Sequence, residues 1–336
     1  MKIWICYPPL LSVKGVPQLT QNRQFQWFSN PTYIYPYVPA TAATLLKLEG
    51  HEVEFVDGIA QQWTYDRFIK YLEMKKPDLI AIETKTPIIR QHWTIINDIK
   101  EISHETKVVL MGDHVTALPD ESLMKSSTDY IITGGDYDLA LSKLARYIED
   151  DAHPPSGLWY RDKDGEIKTT GPPEYWKNLD PLPFPDRQLT KAWLYYENWY
   201  KRWPFFYTMA GRDCWWRRHG GCSFCAWTVI YPYFRTRSPE RHIEELQMLV
   251  EKWKVREVFD DTGTFPSGKW LEKFCKLMIE TGLNEEILFS INYRFDAIVR
   301  GGLSMAKLMK KAGFRLMKLG LESASQRTLD MINKGI

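Results

Sequence analysis

Along the first half of the chain, apolar and polar positions follow two periods in turn. Short apolar runs of strand length, KIWICYP at 2–8, EVEFVD at 53–57 or one residue earlier, DLIAIET, KVVLMG and DYIITGG, alternate with stretches whose apolar residues recur every three or four positions. The runs predict β-strands. The stretches between them predict helices over Tyr37–Glu49, stopped at Gly50, over Tyr65–Met74, over Gln91–Ile102, near Glu121 and over Asp138–Glu149. Such a succession implies a parallel sheet with helices on both faces. In open sheets of this kind ligands gather beyond the carboxyl ends of the strands, which singles out Pro8 and Pro9, Thr84 to Thr86, Gly112 to His114 and Gly134 to Asp136. Glycines at 112, 134 and 135 would let backbone approach a large ligand closely, although an ordinary strand-end turn accounts for any one of them.

After Asp151 the texture changes. GLWYRDKDGEIKTT reads as a hairpin turning at Lys163 to Gly165, and the proline-rich GPPEYWKNLDPLPFPDR reads as a linker crossing the surface. From Phe205 the alternation resumes: strands FFYTMAG, REVFDD, ILFSINYR and RLMKLGLES, with helices over Pro239–Trp253, Lys269–Thr281, Ser304–Lys311 and Gln326–Ile332. The expected class is α/β, with a Rossmann-like domain over 1–150, a hairpin and linker over 151–203, and a partial (β/α) barrel over 204–336. An eight-unit barrel needs about 250 residues, so four units imply a chain truncated at its C-terminus or a short half-barrel.

Composition narrows the function. Of 336 residues, 44% are hydrophobic and 26% charged, and 44 basic against 42 acidic side chains leave a net charge of +2. That balance gives no electrostatic reason to expect nucleic acid or an anionic membrane as partner. The opening MKIWICYPPLL lacks the features of a signal peptide. No apolar run approaches the roughly 20 residues of a transmembrane segment, so a cytoplasmic protein is expected. Five cysteines, three of them clustered, suit a metal site in a reducing compartment better than a disulfide framework. Cys6 and Cys275 fall in strand and helix patterns and are expected as buried core thiols. The aromatic residues crowded between Trp193 and Tyr233 can stack on a flat ligand or simply fill a core.

The chemistry concentrates in GRDCWWRRHGGCSFCAW, directly after the first strand of the second array. Cys214, Cys222 and Cys225 on one loop can hold three irons of a 4Fe-4S cluster and leave the fourth open to another ligand. Three Cys with His219 is also an ordinary zinc set. Position at the carboxyl edge of a βα array favours the cluster, because closed zinc sites usually staple small irregular modules.

This segment resembles the CxxxCxxC loop of the radical S-adenosylmethionine (SAM) superfamily, with seven residues, WWRRHGG, where the family has three between the first two cysteines. The resemblance implies that the open iron chelates the amino and carboxylate groups of SAM, that Phe224 lies beside adenine, and that electron transfer yields a 5′-deoxyadenosyl radical. EVFDDTGTF, FSINYRFD and KLGLESASQRTLDMINKGI resemble the family's later strands, which implies cofactor-binding roles for Asp260, Asp261, Arg294 and Glu322. Each has a plainer alternative: Asp261 or Ser325 as a helix cap, Arg294 and Glu322 as structural ion pairs.

YPYVPATAATLLKLEGHEVEFVD, VVLMGDHVTALPDE, DYIITGGDYD and LDPLPFPDR resemble the cobalamin-binding domain and linker fused to many radical SAM enzymes. This implies cobalamin held near Thr84, Thr86, Gly112, His114, Gly134 and Gly135. There is no DxHxxG segment, so no lower axial histidine from that motif is expected. The family resemblance implies a methyltransferase acting on a small-molecule or lipid-like substrate, with an electron donor such as flavodoxin or ferredoxin. Ring formation, rearrangement and carbon–carbon coupling are the alternatives within the family. A non-catalytic, zinc-containing sensor or ligand-binding protein is the alternative from another class.

Overall fold

The computed structural model describes residues 1–10, 12–20, 24–150 and 152–336. Leu11 in the first apolar run and the expected boundary at residue 151 lie outside the described residues. The chain divides into two units, Met1–Trp176 with Leu182–Leu194, and Lys177–Pro181 with Tyr195–Ile336.

In the first unit, strands β1 (Lys2–Tyr7), β2 (Glu52–Asp57), β3 (Leu79–Thr84), β4 (Lys107–Gly112) and β5 (Tyr130–Ile132) pair in parallel in the order β2-β1-β3-β4-β5. The central strands are largely apolar because helices cover both faces, and every residue of LIAIET is buried, the polar Glu83 and Thr84 at its end included. The hairpin β6 (Leu158–Arg161) and β7 (Ile167–Thr169) does not stand apart. It extends the same sheet, antiparallel to β5, and its turn closes with Gly165 N–H donating to the Asp162 carbonyl at 3.1 Å.

Helix α1 (Tyr37–Leu48) carries Ala40, Ala42 and Ala43 on its buried surface, which allows close approach to α5 (Tyr137–Asp150). Between them in sequence lie α2 (Tyr65–Lys75), α3 (Ile89–Ile102) and α4 (Pro119–Lys125). Thr64 caps α2 by accepting from Arg67 N–H, and Lys76 ends it in the left-handed region at φ 45°. The proline-rich linker is docked rather than loosely crossing the surface. Asp186 binds Lys47 at 2.8 Å, and its own N–H donates to Thr44 Oγ1 at 2.8 Å. Arg187 is buried against Tyr35, its guanidinium 4.8 Å from the ring centroid.

At the end of β4, Gly112 has φ 129°, and a Cβ there would collide with the Thr84 carbonyl oxygen of the neighbouring strand. Gly112→Ala is therefore expected to cost about 2–4 kcal/mol, from a φ that only glycine adopts freely and from a clash with rigid backbone. Urea unfolding checks this; a loss below about 0.5 kcal/mol would show that the turn relaxes.

The second unit contains β8 (Phe205–Thr208), β9 (Glu257–Asp260), β10 (Leu288–Tyr293) and β11 (Phe314–Leu319), all parallel and in sequence order. Helices α6 (Pro239–Trp253), α7 (Lys269–Glu280), α8 (Phe295–Lys311) and α9 (Gln326–Met331) alternate with them. Rings of Phe265, Trp270, Phe274, Phe289 and Phe314 interlock between sheet and helices, with centroids 5.2 to 6.1 Å apart where they touch. The helix expected over Ser304–Lys311 begins nine residues earlier, at Phe295, and passes a break at Gly302, φ 63°. Gly301 and Gly302 read as a stop, and the exposed Val299 and Leu303 blur the periodicity that would have revealed the first half. Among the described residues, no helix is long and apolar enough to cross a membrane.

Candidate active site

The loop bearing the three cysteines leaves β8 at its carboxyl end. Gly211–Arg212 pairs with Arg235–Thr236 in a short antiparallel ladder, Asp213 turns the chain at φ 78°, and the WWRRH stretch folds as a 3-10 helix, Trp215–His219. Gly220 and Gly221, both at positive φ, then reverse the chain toward Cys222. The seven-residue spacer is thus compact, not a slack loop.

The turn after β9 holds this loop. Asp260 Oδ2 accepts from Ala210 N–H at 2.8 Å, Thr262 Oγ1 accepts from Gly211 N–H at 2.9 Å, and Thr264 Oγ1 lies 3.0 Å from Cys214 Sγ. Gly263 leaves room for the indole of Trp227, where a Cβ would overlap the ring. Trp227, two residues past Cys225, is thereby buried against the turn.

The three thiols are neighbours electrostatically. Burial raises Cys225 to about 11, and the negative charge of Asp213, Cys222 and Cys214 adds to that push. Cys214 is raised as well, by burial first, against the help of Thr264 and Arg294. Burial makes these thiols costly to ionise in the metal-free chain, and a bound cation would offset that cost. Among the described residues no three His, Cys, Asp or Glu side chains converge on a single ion. A cluster does not require that, since each thiolate takes a different iron. The fourth ligand of a zinc set is engaged elsewhere: the His219 ring lies 4.4 Å from Trp216, and its Nε2 accepts from Arg218. Phe224 is 42% exposed beside the cysteines.

Asp260 and Asp261 part company because side chains alternate along a strand. Asp260 turns to the helix layer, fully buried, where it also meets Thr208 Oγ1 at 3.0 Å and His242 Nε2 at 3.2 Å. It braces the cysteine loop. Asp261 faces the other way and accepts from Asn292 Nδ2 at 3.1 Å. Arg294 is buried against the loop tryptophans, 4.5 Å from the Trp216 ring and 5.1 Å from Trp215. Glu322 stands at the end of β11 in a left-handed conformation, φ 65°, with Lys334 Nζ at 3.0 Å. Cys6 and Cys275 are fully buried core thiols.

In the first unit, the strand ends bring together Thr84 with His92 (2.8 Å), Thr86 with His114 (3.1 Å), and Lys85 with Asp113 (3.3 Å). Asp113 Oδ1 and His92 Nε2 are buried with no hydrogen-bond partner among the described residues. Gly112 and Gly134 approach protein: the first Thr84, the second Pro173 and Tyr175. Gly135 follows Gly134 in the same buried turn. Sequence reasoning missed Thr262, Thr264 and Asn292; the small and hydroxyl residues of DDTGT just past a strand were the available signal.

Residues 211–336 match the radical SAM superfamily. The chain is 27% identical over 293 residues to an uncharacterized methyltransferase, PH0819, of Pyrococcus horikoshii, covering 86% of this chain and 61% of the relative. It is 27% identical over 309 residues to the anaerobic magnesium-protoporphyrin IX monomethyl ester cyclase of Rubrivivax gelatinosus, covering 88% and 53%. This chain therefore spans little more than half the length of either relative. Among solved structures, the cobalamin-dependent SAM radical enzyme OxsB, with aqua-cobalamin and SAM bound, superposes with a TM-score of 0.73 at 17% identity, covering 100% of this chain and 45% of OxsB. That likeness is one of fold.

Proposed function

We infer, for a chain whose residues 211–336 match the radical SAM superfamily, that the protein is a cobalamin-dependent radical SAM methyltransferase. The observation that carries the reading is the trio Cys214, Cys222 and Cys225 on one loop, the first two near enough to raise the thiol of the third, built onto a braced turn at the carboxyl edge of a parallel βα array. When bound, the cluster would supply one-electron reduction of SAM, and cobalamin would supply a carrier for a methyl group. The protein's own work is placement. Cys214, Cys222 and Cys225 would hold three irons, Phe224 presents an exposed ring for adenine, and Asp261 and Glu322 offer carboxylates past the ends of β9 and β11, on either side of β10. Asp260, Thr262 and Thr264 fix the loop so that these groups keep their spacing. Cobalamin would lie beyond the strand ends of the first unit, where the sheet order reverses between β1 and β3 and where Asp113 Oδ1 has no hydrogen-bond partner among the described residues.

Reduced protein, loaded with iron, sulfide and cobalamin without oxygen and incubated with SAM and its substrate, is expected to form both 5′-deoxyadenosine and S-adenosylhomocysteine. The relationship to the cyclase favours a second reading, radical ring closure. Deoxyadenosine without S-adenosylhomocysteine would select it. Formation of neither product by iron-loaded protein would end both readings.

A further inference from the structure

Cys222 sits at the far end of a spacer long enough to wander, yet the chain on both sides of it is pinned. Asn333 Nδ2 donates to the carbonyls of His219 at 2.9 Å and Gly221 at 2.7 Å, the second of these belonging to the residue just before Cys222. The Ser223 N–H, just after Cys222, donates to the Ile332 carbonyl at 3.0 Å. In return, Trp216 Nε1 donates to the Asn333 carbonyl at 2.7 Å. Residues 332–335 therefore form a strap across the loop that brackets this one cysteine.

The strap is itself held rigidly. Asn333 lies in the left-handed region at φ 50°, which asparagine tolerates better than most residues. Gly335, φ 64°, lies against the Trp216 indole with no space for a Cβ. Arg294 stacks on that indole and donates to the carbonyls of Lys334 at 2.6 Å and Gly335 at 3.3 Å. Lys334, in turn, reaches Glu322. A spacer of seven residues has more freedom to lose than one of three, and a single amide that satisfies two of its carbonyls removes much of that freedom.

From this geometry we propose that Asn333 is a positioning residue for the cluster: through the strap it sets where the Cys222 thiolate stands relative to Cys214 and Cys225. The inference rests on the reading of those cysteines as iron ligands.

The test uses the full chain, loaded with iron and sulfide without oxygen. Asn333→Asp keeps size and tolerance of the left-handed backbone but puts an anionic acceptor against two carbonyls. It is expected to lose iron to a chelator about 10-fold faster, the scale on which outer-shell partners of metal ligands act, and to change the electron paramagnetic resonance spectrum of the reduced cluster. Asn333→Gly preserves the backbone conformation and removes only the amide. It should shift both readouts in the same direction, and in apo protein it should speed hydrogen exchange at 219–223. Wild-type iron retention and spectrum in both variants would overturn the proposal while leaving the cluster intact. Failure of the wild-type protein to hold iron would instead overturn the cluster reading beneath it.

Discussion

Replacing Cys222 by Ala is expected to leave a folded protein with almost no iron and no detectable SAM cleavage. A 4Fe-4S cluster on a three-cysteine loop already has one iron without a protein ligand, and the loss of a second leaves two thiolates to hold the whole assembly. The fold should be indifferent. Cys222 is half-buried, outside the packed interior, and surface-type changes usually alter stability by no more than about 0.5 kcal/mol. Cys275→Ala supplies the contrast: its side chain is packed in the interior of the second unit, on α7 and not on the cysteine loop, so it takes no part in ligation. It should keep its iron and lose stability. The checks are iron and sulfide per chain after anaerobic reconstitution, deoxyadenosine formed from SAM, and thermal unfolding of the apo forms. Retained cleavage by the Cys222 variant would remove it from the ligand set.

Much of this architecture was legible because local signals agreed with the global fold. Helix α6 has the bounds its residues announce: Ser238 caps it by accepting from Arg241 N–H, Pro239 opens it, and Lys254 ends it at φ 54°. Strands buried on both faces read as unbroken apolar runs, and the thiol cluster showed in its spacing. What stayed hidden depends on which way side chains turn and on partners far away in sequence. Asp260 and Asp261 are equivalent as letters, yet register with β8 and β10 sends the first under His242 and the second toward Asn292. The docked linker was similarly hidden, since nothing in LDPLPFPDR announces that Arg187 will be covered by Tyr35, just before α1, and Tyr37, its first residue. Asn333 lies more than a hundred residues from the carbonyls it binds, and no periodicity marks it.

The braced turn makes Asp260 the side chain on which folding and the site depend together. Burial pushes its carboxyl up, but hydrogen bonds and charge from His242, with those from Thr262, outweigh burial and hold it below the ordinary carboxylate range. Asp260→Ala would orphan the buried Thr208 hydroxyl and the Ala210 and Thr262 N–H groups, and would take the nearest carboxylate away from His242, which is buried among Phe265, Trp270, Phe274 and Phe289. Breaking a buried pair of this kind costs about 3–5 kcal/mol, and the cysteine loop loses the contact that starts it in the right direction. The sign of the pH effect follows from the lowered value. The carboxylate's contribution is fully present above the unfolded aspartate range and is lost as pH falls through the native value. Asp260→Asn, which removes the charge but keeps the shape, should therefore be markedly less stable than wild type at pH 7, with the gap narrowing toward acid. Urea unfolding across that range measures the gap, and iron retention reads out the loop. A gap that stays constant as pH falls would show that the carboxylate's charge has no part in bracing the turn.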